Sequence, residues 1–188
     1  PAPYDVDVRL ALHAQAGVRA AVFTVNYLGD TNANDINPGD GVCADALGAC
    51  GLRTAIQEAN ALPGLDTIVL PAGTITLATA GQNEEAALTG DLDITDSLTI
   101  RGAGASVTLI DGNGAVTIDR VFHVRQSGSS YITVDFVDLS VRGGNLPAGT
   151  GGGILAACRA DVVVRRSGVF ENFGSQGGGI SVSGSGGC

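Results

Sequence analysis

From Thr67 onward, apolar and polar residues alternate in short runs broken by Gly, Asn and Asp, and the runs recur at steps of about thirty residues. One phrase reads Asp91-Leu92-Asp93-Ile94, then Arg120-Val121-Phe122-His123-Val124, then Gly152-Gly153-Ile154-Leu155, then Gly178-Gly179-Ile180-Ser181-Val182. Taking Ile94, Phe122, Ile154 and Ile180 as equivalents gives steps of 28, 32 and 26. A second phrase runs Leu98–Ile100, Ile132–Val134 and Val162–Val164, and a third places Leu109, Leu139 and Val169 thirty apart. Alternation of this kind puts every second side chain on one face of a strand. A unit so short cannot bury that face alone, so successive units stack into one continuous core. The pattern predicts an all-β solenoid of about four coils over residues 67–188, on the order of 20 Å long at the usual strand spacing. Ile94, Phe122, Ile154 and Ile180 are expected to form a single interior column.

Upstream the pattern changes. Phe23–Tyr27 reads as a strand, and residues 29–48 as a turn-rich loop dense in Asp, Asn and Gly. Leu52, Ala55, Ile56, Ala59 and Leu62 fall at the spacing of one helix face, and Pro63-Gly64 stops that helix. Residues 1–21 read as an arm or a marginal helix. The expected organisation is therefore an arm (1–21), a strand, loop and capping helix (22–66), and the solenoid (67–188), from which the polar Gly81–Ala87 corner loops out.

A solenoid's open ends expose unpaired strand N–H and C=O groups, so they need cover. Leu52, Arg53, Ile56 and Ala59 of the helix are expected to cap the first coil. No comparable cover is visible after Val182. If Cys188 is the true end, that asymmetry predicts assembly, with Phe23 and Val25 of one copy added to the Ile180 and Val182 edge of another in head-to-tail rods; if the chain continues past Cys188, the same piece is the first part of an adhesin or stalk.

Composition sharpens the picture. Apolar residues make up 44% and charged residues 15%, which is ample for a core, and 29 glycines suit tight corners between short strands. All ten basic residues are Arg, against nineteen acidic ones, so a net charge of −9 disfavours nucleic acid and anionic membranes as partners. Leu10–Ala16 is too short and polar for a membrane span. Met is absent, so Pro1 is no translation start, which fits removal of an export signal. Four cysteines, two of them seven apart in a Gly-rich loop, favour an oxidising compartment, and the expected location is extracellular or cell-surface.

Cys50-Gly51-Leu52-Arg53-Thr54-Ala55-Ile56-Gln57-Glu58-Ala59-Asn60 resembles the motif of the CSLREA-type exported β-helix repeat proteins, with Gly51 in place of Ser and Thr54 in place of Glu. The flanks are similar too: Gly39-Asp40-Gly41-Val42-Cys43, Pro63-Gly64-Leu65-Asp66-Thr67-Ile68, Leu98-Thr99-Ile100-Arg101-Gly102-Ala103-Gly104 and Ile110-Asp111-Gly112-Asn113-Gly114. The resemblance covers residues 22–183. It implies a right-handed parallel β-helix, a fold shared with pectin-degrading enzymes and surface adhesins, and it implies no single activity.

Candidate chemistry is sparse. Cys43 and Cys50 read as a disulfide closing the loop ahead of the helix; a half metal site or free thiols are the rivals. Cys158 and Cys188 either meet on successive corners or leave Cys188 to bond another chain. Asp30, Asn32 and Asn34 open like a calcium loop, but Gly41 stands where its closing Glu belongs, so a solvated Asx-rich loop competes and no other cofactor is expected. Asp91 and Asp93 share one outward strand face and read as solubilising acids. A polysaccharide lyase or hydrolase would draw on Asp93, His123, Arg125, Asp135 and Arg142. Aromatic platforms are scarce, so no catalytic residue is assigned. The expected function is a surface or extracellular structural module or part of an adhesin, whose partners are copies of itself or other surface proteins. A polysaccharide-active enzyme or a glycan-binding module is the alternative.

Overall fold

The computed structural model describes residues 20–31, 33–126 and 128–184. Residues 1–19 of the expected 1–21 arm or helix lie outside them. The described residues form fifteen strands and one helix, every strand pairing parallel. The protein is a parallel β-helix of four stacked coils, three coil-to-coil steps deep.

The first face stacks β1 (Val22–Thr24), β2 (Asp66–Val69), β5 (Leu98–Arg101), β8 (Ile132–Val137) and β12 (Ala160–Arg165). The second stacks β3 (Gly73–Thr76), β6 (Thr108–Asp111), β9 (Ser140–Arg142) and β13 (Gly168–Val169). The third stacks β4 (Leu92–Ile94), β7 (Phe122–Val124), β11 (Ile154–Ala156) and β15 (Ile180–Val182). The last two coils carry an extra ladder, β10 (Asn145–Thr150) on β14 (Phe173–Gln176), which the alternation did not reveal because Gly and Pro interrupt it.

Each face contributes an inward column: Phe23, Ile68, Ile100, Phe136 and Val164 on the first, Ile75, Ile110, Val141 and Val169 on the second, and Leu92, Phe122, Ile154 and Ile180 on the third. Phe122 and Phe136 meet edge to face across the interior, ring centroids 4.8 Å apart, where such pairs are favourable.

Two expected registers need correcting. Ile94 is not in the Phe122 column; it stacks on Val124, Ala156 and Val182, two residues along. The slip is even, so Ile94 keeps its inward face. Leu109 opposes Ser140, and Leu139 is a fully buried corner residue rather than its equivalent. Asp138 just before it takes a left-handed turn (φ 57°), so the corner is one residue out of phase with the thirty-residue count.

The glycine runs serve corner stacking. Gly144 and Gly152 flank β10 within one coil and approach so closely that a Cβ on Gly144 would sit 1.7 Å from the Gly152 carbonyl oxygen. Asn113 and Asn172 stand at the equivalent corners of the second and fourth coils and donate their side-chain amides to the carbonyls of Leu77 and Val141, one coil back in each case.

The head end is closed. The helix α1 (Leu52–Ala61) forms where the apolar spacing predicts, ending one residue sooner than expected because Leu62, before Pro63, is extended. Its apolar residues Leu52, Ala55, Ile56 and Ala59 join the solenoid core. Asn60 acts as a surrogate strand: its amide nitrogen donates to Asp93 O at 2.8 Å and its oxygen accepts Thr95 N–H at 2.9 Å along the free edge of β4. On the first face β1 pairs with β2, and Asp66 accepts the Ala21 N–H at 2.7 Å. Phe23 and Val25 are thus buried in their own core, at 5% and 2% exposure, and are not free to be donated to a second copy. The strand is Val22–Thr24, which includes Phe23 but ends before Val25 and is shorter than the predicted Phe23–Tyr27.

The polar side of α1 is buried too, which the single apolar stripe did not suggest. Arg53, Thr54, Gln57 and Glu58 hold the 29–48 loop over the helix. Glu58 accepts the N–H groups of Gly39 and Gly41, Thr54 donates to Ala33 O, and Gln57 accepts Asp35 N–H while donating to Asn34 Oδ1. Cys43 and Cys50 form the disulfide that closes this loop. The calcium-like residues go to the same purpose: the Asp30 carboxylate accepts Arg53 and the N–H groups of Ala78 and Thr79, and Asn34 accepts Gln57. Asn32 falls outside the described residues.

Candidate functional site

The outer surface of the third face carries the one His–carboxylate cluster among the described residues. Strand parity turns Asp93 and His123 outward at the same register position of β4 and β7. Outward here does not mean exposed. Residues 78–91 fold back over this face, so Asp91 is 3% exposed, Asp93 0% and His123 8%. The predicted solubilising acids are therefore buried, and the Gly81–Ala87 corner is a cover rather than a protrusion. Ala87 is its anchor: its carbonyl accepts Arg53 and Gln57, and its N–H donates to Asp93 Oδ2 at 3.0 Å.

Glu85, from the same cover, completes the cluster. His123 Nδ1 lies 3.3 Å from Glu85 Oε2 and 3.3 Å from Asp93 Oδ1. Arg125 Nη1 also pairs with Glu85 Oε2. Asp93 Oδ1 is buried and has no hydrogen bond, an unusual state for a carboxylate oxygen. Donor atoms of Glu85, Asp93 and His123 all lie within 4.8 Å of one another. Beside them a groove of about 420 Å³ runs along the tail-side coils, lined by His123, Arg125, Leu155, Ala157, Cys158, Ser183 and Gly184.

A second acidic group sits one step along. Asp91 Oδ2 accepts Arg120 Nη1 at 2.9 Å, and Asp119 accepts the Arg120 N–H at 2.8 Å. Burial pushes the Asp91 carboxyl up to about 8, helped by the neighbouring Asp93 and Asp119 and only partly offset by Arg120. Burial also raises Asp93, against the opposing pull of His123 and the Ala87 N–H, and raises Asp119.

Of the five residues drawn together from the sequence, the fold unites three. Asp93, His123 and Arg125 converge, whereas Asp135 pairs with Arg165 on the first face and Arg142 with Asp111 on the second. Asp93 is sealed beneath the cover, so it cannot flank a sugar ring with a second carboxylate as a hydrolase requires. Glu85 escaped the sequence reading because it lies in a loop without periodicity. Its only signal was an acidic pair, Glu84-Glu85, one coil ahead of His123 and Arg125.

Cys158, at a left-handed corner (φ 41°), is not a free thiol; Cys188 falls outside the described residues. Comparison with known protein families, with characterised proteins and with solved structures finds no match.

Proposed function

We propose that this chain is a structural β-helix module of an exported, cell-surface or extracellular protein, and that its tail-side coil is a stacking surface for further β-strands. The observation that carries this is the gradient along the inward columns. Phe122 and Ile154 are 0% exposed, whereas Ile180 is 43% and Val182 77%. Phe170 and Phe173 are exposed on the same coil, and Val162, Val164 and Val169 are only half-buried. Among the described residues this apolar coil has unpaired strand edges, which makes it a template for pairing. Among the described residues the head, closed by α1 and Asn60, offers a second copy the outer edge of β1, so head-to-tail growth would run through the first face, β1 meeting β12. The Cys43–Cys50 bridge, the acidic Arg-only charge and the CSLREA-like motif support an exported setting.

Sedimentation velocity over a wide concentration range tests the reading. Association that grows with concentration, and that Ile180→Asp with Val182→Asp abolishes while far-UV CD stays unchanged, is the expected result. A wild-type chain that stays monomeric throughout sinks it.

The groove beside Arg125 favours a second reading, glycan binding without turnover. Retention on an array of acidic glycans, lost in Arg125→Gln and without release of new sugar ends, would support it.

A further inference from the structure

We propose that Glu85, Asp93 and His123 form a binding site for one divalent transition-metal ion of the zinc class. Three independent features converge on it. The donor set is a ring nitrogen with two carboxylates, a mixture suited to zinc and its neighbours and ill suited to calcium or magnesium, which take oxygen alone. The spacing fits as well. Tetrahedral bonds of about 2.0–2.1 Å place neighbouring donors about 3.3–3.4 Å apart. His123 Nδ1 stands 3.3 Å from each carboxylate oxygen.

The third feature is Asp93 itself. Its Oδ2 is held by the Ala87 N–H at 3.0 Å, which fixes the carboxylate plane and leaves Oδ1 buried, unbonded and turned toward His123. The nearest polar neighbour of Oδ1 is His123 Nδ1 at the long distance of 3.3 Å, and a cation held between the two would meet both. The Ala87 bond is the kind of outer contact that orients metal-binding carboxylates.

Arg125 limits the affinity. Its guanidinium occupies Glu85 Oε2 and therefore competes with the ion for that oxygen. Removing it should strengthen binding, the opposite of what a purely structural Glu85–Arg125–His123 network would do. An ion held here joins the 78–91 cover to β4 and β7, beside the groove that His123 also lines.

The test is calorimetric titration of the oxidised, tag-free chain, stripped with EDTA, against Zn²⁺ alone, in a His13→Ala background that removes the second histidine. One ion per chain is expected, with Ca²⁺ giving no heat. His123→Ala and Glu85→Gln should weaken Zn²⁺ binding by roughly tenfold or more, and Arg125→Gln should tighten it. Co²⁺ should show the intense visible bands of a four-coordinate site, lost in His123→Ala. Glu85 is half exposed, so its variant folds even where an Asp93 variant does not. Zn²⁺ binding that is absent in a chain with a native CD spectrum, or equally strong in His123→Ala, overturns the proposal.

Discussion

Arg53 and Asp30 form a two-pronged ion pair, Nε to Oδ1 at 2.7 Å and Nη2 to Oδ2 at 3.1 Å, with both side chains at most 2% exposed. The remaining Arg53 donors reach the carbonyls of Ala87, Gly90 and Asp91 at 2.8–3.0 Å, so all five N–H groups are used. One side chain thus ties the 29–48 loop, the helix and the 78–91 cover together.

Replacing Arg53 with Met leaves the Asp30 charge buried without its counter-ion, and a loss of about 3–5 kcal/mol is expected. Arg53→Lys should recover little, because an ammonium cannot reproduce the fork. Urea denaturation checks both, and a loss below about 1 kcal/mol would refute this account of the cap.

Phe122 and Phe136 are the aromatic centre of the solenoid, both fully buried. Either one changed to Ala should cost about 3–5 kcal/mol through lost burial and the cavity left behind. A double-mutant cycle should return a coupling of about 0.5–1.5 kcal/mol from the edge-to-face contact. Additive single losses would show that the rings do not interact beyond their separate packing.

The Cys43–Cys50 bridge closes a loop with a sequence separation of seven. Loop-closure entropy for so short a ring predicts that the paired Cys43→Ser and Cys50→Ser changes cost about 2.5 kcal/mol. Thermal melts of the oxidised wild type and the double variant measure it. Their coincidence would mean that the hydrogen bonds of Glu58 and Gln57 hold the loop unaided.

Asp91 makes stability depend on pH in a particular direction. Its carboxyl keeps its proton up to about 8 when folded, against 3.8 ordinarily, so between those values the folded chain binds more protons than the unfolded one. Stability should therefore be greatest at the acid end of that window and fall as pH rises through it, levelling above about 8. Asp93 and Asp119, also raised, add to the same slope. The urea midpoint should be higher at pH 5.5 than at pH 8.5, and Asp91→Asn should narrow the difference. A midpoint that climbs with pH would contradict the arrangement.

Alternation along the chain was enough to establish the solenoid, its inward residues and its coil length, because every coil must bury the same face. The helix and the Cys43–Cys50 pair were legible for equally local reasons: 3-4 spacing ended by Pro63, and two cysteines close in sequence. Register was less so. Corners vary in length, and a count of thirty placed Leu139 with Leu109 when the left-handed Asp138 puts Ser140 there.

What the sequence alone determined, then, is the repeating strand content and which side chains face the core, since these follow from a period of two acting over a few residues. Only the tertiary structure decided that Asp91 and Asp93 are buried, that the polar side of the helix is covered, and that Glu85 meets His123. Those outcomes depend on where an aperiodic loop comes to rest. That loop is placed by single long-range hydrogen bonds, Arg53 and Gln57 to Ala87 among them, which join residues thirty or more apart and leave no trace in local pattern.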